Sequence, residues 1–231
     1  MTNRLLIACF LTVVLKTAAA QTLALLPQNP HYFTYQGKPT VVVGSGEHYG
    51  AVMNLGFNYD KYLQTLQKEE LNTTRLFTGA YYEKPGFWDS EKYLSTSRRP
   101  TDTALEKNNG KYELTAWNEA FFARLHDFMK KSAQSGVIVE ICLFSAYYGA
   151  GWAYHPFNGN NNNNQTPTDL VPQKVNTLDN GAVLKFQKPI RASWYKNSIN
   201  TTISILKSKT NLGPKEKIRF WFGTTLSLKK T

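Results

Sequence analysis

Two short apolar segments are each followed by carboxylate and phenol side chains, and the first is also followed by an imidazole. These side chains are Glu47, His48 and Tyr49 after the first segment, and Tyr81, Tyr82 and Glu83 after the second. Polar groups that follow strands in this way commonly line the rim of a substrate site, where they bind a ligand and exchange protons with it. We therefore expect both sets to lie on the rim of one site.

A single charged residue, Arg75, lies in the first half of the segment Leu71–Glu83. The first half of that segment is β-branched and apolar, and strand alternation places Thr73, Arg75 and Phe77 on one face. An arginine near the end of a buried strand has two explanations. It belongs to a functional site, or it is a buried charge that a neighbouring carboxylate neutralises.

The apolar segment Val137–Phe144 is the clearest strand in the sequence and is typical of a strand buried on both faces in a parallel sheet. It carries Glu140 in its middle, on the same face as Cys142. Mid-strand positions lie below the loops that build a site in barrel folds. We therefore predict that Glu140 is a partner for the interior Arg75 rather than a catalytic group.

The segment from Ser145 to Asn180 combines aromatic side chains with an asparagine run, Asn160–Asn164. Its first part contains Tyr147, Tyr148, Trp152, Tyr154, His155 and Phe157. Flat rings displayed on a loop can stack on the C–H faces of sugar rings, so Tyr147, Trp152 and His155 are candidate substrate-binding residues. The alternative is a loop that packs its own aromatic rings. Composition alone predicts that the asparagine run is flexible.

Hydrophobic periodicity predicts the elements that position these residues. His31–Gln36 and Thr40–Val43 predict a β-hairpin that leads into a buried strand. Tyr59–Glu70, with Asn58 as a possible N-cap, and Thr115–Gln134 have the spacing of amphipathic helices. Strand, helix, strand, helix, strand is the opening of a (β/α)8 barrel, and 231 residues suit one α/β domain.

The net charge of +11 is concentrated at the C-terminal end of the chain. Residues 189–231 hold nine Lys and Arg against the single acid Glu216, which leaves +3 for residues 1–188. The basic tail lacks the ordered interleaving of basic and aromatic residues that nucleic-acid binding favours. We therefore expect no nucleic-acid partner, and the sequence leaves the oligomeric state open.

Residues 1–20 have the features of a cleaved secretory signal. Arg4 precedes the apolar run Leu5–Leu15, and three alanines precede Gln21. The run is too short to span a membrane, so we expect a secreted or periplasmic protein without a membrane anchor. Removal of the signal leaves Cys142 as the only cysteine, which excludes an intrachain disulfide and a cysteine-rich zinc site. No motif indicates a metal or another cofactor.

Four segments, in their order and spacing, resemble secreted cellulase-like glycoside hydrolases of family 5. They are Tyr35–Gly44, Gly46–Tyr49, Thr74–Phe77 and Trp152–Asn158. The resemblance runs from about Leu26 to Lys188. It implies a retaining (β/α)8-barrel enzyme that hydrolyses O-glycosyl bonds in a polysaccharide or oligosaccharide. It also implies that Arg75, which ends the second strand, supports the catalytic nucleophile.

The chemistry of this family requires two carboxylates about 5 Å apart. The family places them after the fourth strand, in an Asn-Glu-Pro motif, and after the seventh strand. No Asn-Glu-Pro sequence occurs here, and three strands with their helices extend to about Lys188. We therefore expect residues 21–188 to form the first three βα repeats of an incomplete, inactive barrel. The alternative is a secreted, non-catalytic carbohydrate-binding or surface protein.

Residues 189–231 are predicted to be a frame-shifted translation of the missing fourth repeat. With a suitable choice of codons, the bases that encode Lys207–Pro214 also encode E-I-Q-N-E-P-W-A in the shifted frame, which contains the family's acid/base motif. Loss of one A from CAAAAAGCC would convert Gln-Lys-Ala into Gln187-Lys188-Pro189. The hidden glutamate overlaps Asn211, so Asn211 itself has no predicted catalytic role.

Overall fold

The described part of the chain begins with a three-stranded antiparallel sheet. The computed structural model describes residues 23–46, 51–77, 103–144, 149–177, 180–198, 204–208 and 219–221, so the predicted signal lies outside it. Strands β1 (Leu23–Leu26), β2 (Asn29–Tyr35) and β3 (Lys38–Thr40) pair in chain order, which confirms the predicted hairpin. The apolar side chains of this sheet and of the residues after it pack on Ile138; they are Leu23, Phe33, Tyr35 and Val42.

The remaining elements alternate between strands and helices. The strands are β4 (Gly44–Gly46), β5 (Thr73–Phe77), β6 (Leu105–Asn108), β7 (Lys111–Trp117), β8 (Ile138–Phe144), β9 (Ser204–Ser208) and β10 (Arg219–Trp221). The helices are α1 (Tyr59–Lys68), α2 (Glu119–Gln134) and α3 (Gly181–Ser198), and short 3₁₀ helices cover Gly149–Tyr154 and Pro172–Lys174. No helix among the described residues is long and apolar enough to cross a membrane.

A mixed sheet in the order β10-β9-β8-β5-β4 forms the centre of this α/β fold. Strands β4, β5, β8 and β9 are parallel, and β10 pairs with β9 in the antiparallel direction. Each parallel strand lies beside the previous one in the chain, as in a (β/α)8 barrel and unlike a doubly wound sheet. The sequence predicted three βα repeats, and the structure adds a fourth parallel strand, β9, after α3.

Helix α1 follows the predicted pattern closely. The side chain of Asn58 caps it by accepting a hydrogen bond from the backbone N–H of Lys61 at 2.9 Å. Leu63 and Leu66 are buried on its inner face. The helix ends two residues before the predicted Glu70, because Glu70 adopts the left-handed conformation with φ 56°.

The second helix starts later than the sequence predicted. Thr115 to Trp117 belong to β7, and α2 begins only at Glu119, where Asn118 caps the backbone N–H groups of Ala120 and Phe121. Strand β7 pairs with β6 around the turn at Asn109 and Gly110, which have φ values of 51° and 78°. Asn-Gly is the strongest short-range hairpin signal, but hydrophobic periodicity alone does not detect it.

The segment before β4 is also not the buried strand that was predicted. Val41 and Val43 are 61% and 49% exposed, and only Gly44–Gly46 pairs with β5. A Cβ atom on Gly44 would lie 1.9 Å from the carbonyl oxygen of Thr73, so this close strand pairing requires glycine. Asn72 holds the preceding residues: its Oδ1 accepts from the N–H of Val43, and its Nδ2 donates to the carbonyl of Val41, both at 2.8 Å.

The main core lies between the sheet and the helices. Helix α2 contributes Phe121, Leu125, Phe128 and Met129, and α3 contributes Val183, Phe186 and Ile190. Strand β8 faces this core with its alternate residues Val139, Ile141 and Leu143, together with Val137, which precedes the strand. Helix α3 continues through Pro189, so the predicted boundary after Lys188 lies inside a helix.

We expect the substitution Asn72→Ala to destabilise the protein by about 2 kcal/mol, because it removes two side-chain hydrogen bonds and leaves two backbone groups without these partners. Urea unfolding measured by circular dichroism would test this. Asn29→Ala is the control, since the Asn29 side chain accepts only an exposed local hydrogen bond from His31. Equal unfolding midpoints for the two variants would show that the two hydrogen bonds of Asn72 do not stabilise the protein.

Candidate functional site

An ion pair between Arg75 and Glu140 lies at the centre of the parallel sheet. The two residues are in register on the neighbouring strands β5 and β8. The Nε and Nη2 atoms of Arg75 lie 2.9 and 2.8 Å from the Oε2 atom of Glu140. Glu140 raises the pKa of the Arg75 guanidinium, chiefly through this hydrogen bond. The predicted partnership is confirmed.

The geometry of this pair leaves Arg75 able to bind a further acceptor. Its side chain is 45% exposed, against 16% for Glu140. A guanidinium carries five N–H donors in a planar fork, and within the described part of the chain its contacts with the Oε2 atom of Glu140 use two of them. The face of the sheet that carries Arg75 is opposite the face on which Thr74 and Leu76 are buried. Arg75 can therefore hold a second anionic or carbonyl oxygen on this face, which we call the inner face of the sheet.

Four aromatic rings, one at the end of β8 and three in the loop after it, contact one another in turn with their planes tilted by 31° to 42°. We call these four rings the aromatic column. Phe144 ends β8, and its ring centroid lies 6.4 Å from that of Phe157. Phe157 in turn lies 5.3 Å from His155, which lies 5.4 Å from Trp152. Trp152 is the only member of this column that is not fully buried. It is the least buried ring of this column, and it also packs against the main core.

His155 was predicted on the substrate rim, and the structure buries it to 2% exposure instead. Its Nδ1 atom accepts a hydrogen bond from the backbone N–H of Phe157 at 3.1 Å, so this nitrogen carries no proton. Burial lowers the pKa of the imidazole to about 3. His155 is therefore a neutral core ring, as in the alternative of a loop that packs its own aromatic side chains.

The asparagine run is ordered by side-chain hydrogen bonds, contrary to the flexible loop that its composition predicted. Asn158 and Asn162 are buried. The Nδ2 atom of Asn161 donates to the carbonyls of Ala153 and His155, at 2.8 and 3.0 Å. Asparagine side chains bond readily to nearby backbone groups, and this capacity was the signal that the composition argument did not use.

The same run is attached to the β6–β7 hairpin. The backbone N–H of Tyr112 donates to the carbonyl of Asn161 at 2.8 Å, and the N–H of Asn163 donates back to the carbonyl of Tyr112 at 3.0 Å. The side chain of Asn164 accepts a hydrogen bond from the N–H of Leu114 at 2.7 Å. The β6–β7 hairpin and the asparagine run are thus bonded to each other.

The structure brings some of the predicted site residues together. Arg75 contacts Glu140, and Trp152 contacts His155. The other predicted rim residues lie outside the described residues; they are Glu47, His48, Tyr49, Tyr81, Tyr82, Glu83 and Tyr147. Within the described ranges, no group of three or more His, Cys, Asp or Glu side chains could hold a metal ion.

Comparison with solved structures finds a likeness to glycoside hydrolases. A family 5 mannosidase from Rhizomucor miehei shares 15% identity over 79% of this chain, with a TM-score of 0.46. An endo-1,4-β-mannanase from the same organism shares 14% identity over 77% of the chain, with a TM-score of 0.49. A hyperthermostable endo-1,4-β-D-mannanase from Thermotoga petrophila shares 12% identity over 73%, with a TM-score of 0.40.

The chain spans less than half the length of these solved structures: 45% of the two Rhizomucor enzymes and 44% of the Thermotoga enzyme. No family model and no curated protein matches the chain. The family named for the mannosidase is the one that the sequence motifs resemble. At these identities and TM-scores the likeness assigns neither a family nor an activity to this chain.

We expect the burial of His155 to make folding stability depend on pH. The folded pKa is lowered to about 3, whereas the unfolded imidazole titrates near about 6.5. The contribution to stability is therefore present above the unfolded pKa and is lost as pH falls towards the folded one. The slope attributable to His155 should be about 1.4 kcal/mol per pH unit.

Urea unfolding of the parent and of His155→Phe at several pH values would isolate this slope from that of the carboxylates. The difference between the two proteins should grow as the pH is lowered from about 6 to about 4. The control is His31→Gln, which changes an exposed histidine on β2. Parallel stability curves for the parent and His155→Phe would show that His155 is not held neutral by burial.

Proposed function

We propose that this chain is the N-terminal part of a retaining glycoside-hydrolase barrel, exported from the cell, that binds oligosaccharide but does not hydrolyse it. The observation that carries the proposal is the Arg75–Glu140 pair, which sets a half-exposed arginine on the inner face of the second parallel strand. The order β4-β5-β8-β9 supports it, because successive parallel strands lie side by side as in a barrel.

Arg75 would support a carboxylate contributed by a later strand of the complete barrel. Glu140 holds the guanidinium from one side through a single oxygen atom. Donors that this contact does not use can then orient a second carboxylate, because the planar fork of arginine matches the geometry of a carboxylate. In a retaining enzyme that carboxylate is the nucleophile.

We propose that the chain does not hydrolyse its ligand because it lacks a suitably placed pair of carboxylates. Retaining hydrolysis requires one carboxylic acid that protonates the leaving oxygen and one carboxylate that attacks the anomeric carbon, about 5 Å apart. Glu140 is the only acid in the four described parallel strands, and Arg75 engages it. Glu47 and Glu83 follow the first and second parallel strands, where the resembling family does not place its pair.

Two features support the proposal that residues 189–231 are a shifted translation of the fourth repeat. Pro189, the first altered residue, lies inside α3, where it removes the backbone hydrogen bond to the carbonyl of Lys185 at a cost of about 3 kcal/mol. The unshifted frame would place alanine there. In addition, β9 covers Ser204–Ser208, and the sequence encoded there in the shifted frame contains the strand that precedes N-E-P.

A non-catalytic carbohydrate-binding protein without hydrolase ancestry is the second candidate. The partly exposed Trp152, at the outer end of its aromatic column, favours it. Both candidates share the saccharide ligand and differ in ancestry. The hydrolase ancestry is preferred because a binding role alone gives no reason for Arg75 to lie on the inner face of a parallel sheet.

We expect no turnover of aryl glycosides, β-1,4-mannan or β-1,4-glucan by the purified chain, because a retaining mechanism needs a pair of carboxylates. Release of reducing sugar and of nitrophenol are the measurements. The variants Glu47→Gln, Glu83→Gln and Glu140→Gln serve as controls for any trace activity. Turnover by the parent that disappears in one of these variants would overturn the proposed lack of hydrolysis.

A further inference from the structure

Trp152 lies in a short helix whose last carbonyls need hydrogen-bond partners. The 3₁₀ helix Gly149–Tyr154 is six residues long, and the last carbonyls of a helix have no partner within it. The carbonyl of Trp152 accepts from the N–H of His155 and from the side chain of Asn158, both at 3.1 Å. The next carbonyls along the chain are satisfied by side chains of the asparagine run.

Two asparagines supply most of these bonds. Asn161 donates to the carbonyls of Ala153 and His155, and Asn162 donates to the carbonyl of Pro156 at 2.9 Å. Asn162 also donates to the hydroxyl of Thr166, which in turn donates to the carbonyl of Phe157 at 2.7 Å. The backbone around Trp152 therefore cannot rearrange without breaking several side-chain hydrogen bonds at once.

The aromatic column supports Trp152 from beneath. Its lower rings are buried, and the column begins at Phe144 in the central sheet. Backbone hydrogen bonds between the asparagine run and β7, which need no side-chain atom of Asn163, hold the other side of the loop. The segment that carries the indole is thus held from both the sheet and the hairpin.

We propose that Asn161 and Asn162 are positioning residues, which hold the indole of Trp152 in place to stack on one ring of a neutral oligosaccharide. This inference rests on the proposed function and identifies how the saccharide-binding surface is built. A side chain fixed before binding loses less conformational entropy when the ligand arrives, so rigid support increases affinity.

The chemistry of the segment favours a neutral ligand. Ser145–Thr168 contains no Asp, Glu, Lys or Arg, and burial keeps His155 uncharged. The segment offers aromatic faces, amides and hydroxyls. These groups suit the C–H faces and hydroxyl groups of a pyranose chain, whereas an anionic ligand would call for arginine or lysine.

Titration of the full chain with mannohexaose and cellohexaose, followed by calorimetry and by the indole N–H signal of Trp152, tests the inference. Trp152→Ala should weaken binding by about tenfold or more, and Asn161→Ala by about three- to tenfold. Asn161→Asp should resemble Asn161→Ala, because a carboxylate of the same shape cannot donate to the two carbonyls. The indole signal should broaden in both Asn161 variants.

Asn163→Ala is the matched control. Its side chain also donates two hydrogen bonds, but to the carbonyl of Asn108 and the carboxylate of Glu113 on the hairpin. Its affinity should stay within about twofold of the parent at a temperature well below unfolding. Equal affinities for the parent, Asn161→Ala and Asn163→Ala would overturn the inference and leave the proposed function in place. A parent chain that binds neither hexaose would overturn both, and hydrolysis of a bound hexaose would overturn only the proposed lack of activity.

Discussion

The structure depends on a charge that must be neutralised inside a parallel sheet. Alternation along β5 sends Thr74 and Leu76 into the core and leaves Arg75 on the other face. The register between β5 and β8 brings Glu140 directly beside it. The carboxylate of Glu140 is largely buried and would be costly there without a counter-charge, so this pair favours one register of the two strands. The same pairing presents the remaining donors of Arg75 to whatever occupies the inner face.

A second constraint acts above the sheet, where backbone carbonyls leave regular structure. The loop after β8 satisfies them with asparagine side chains instead of extending a helix or a strand. The asparagine run is also bonded to the hairpin before α2, and the partly buried Trp152 lies in the segment that the run holds. Hydrogen bonds from asparagine side chains and contacts between aromatic rings hold the same stretch of backbone. The loop therefore has a defined structure and is not a flexible linker.

Hydrophobic spacing and strand alternation predicted the elements whose geometry depends only on neighbouring residues in the sequence. The spacing in α1 and the alternation in β8 place side chains without knowledge of distant contacts, and the Arg75–Glu140 pair follows from two such alternations. The burial of His155 could not be predicted in this way, because it depends on Asn161 and on a hairpin some fifty residues earlier in the chain. The fourth strand, β9, lies in the segment that the sequence predicted to be a frame-shifted translation, so no strand was predicted there from its own residues.

Resequencing the gene across the codon for Gln187 tests the central claim most directly, since a single base decides between the two translations. We predict an A-rich run at Gln187-Lys188 and, in the shifted frame, a continuing open frame that encodes N-E-P and further barrel strands. An intact reading frame through Pro189, with no barrel-coding sequence downstream in the shifted frame, would contradict the claim that this chain derives from a full-length glycoside hydrolase.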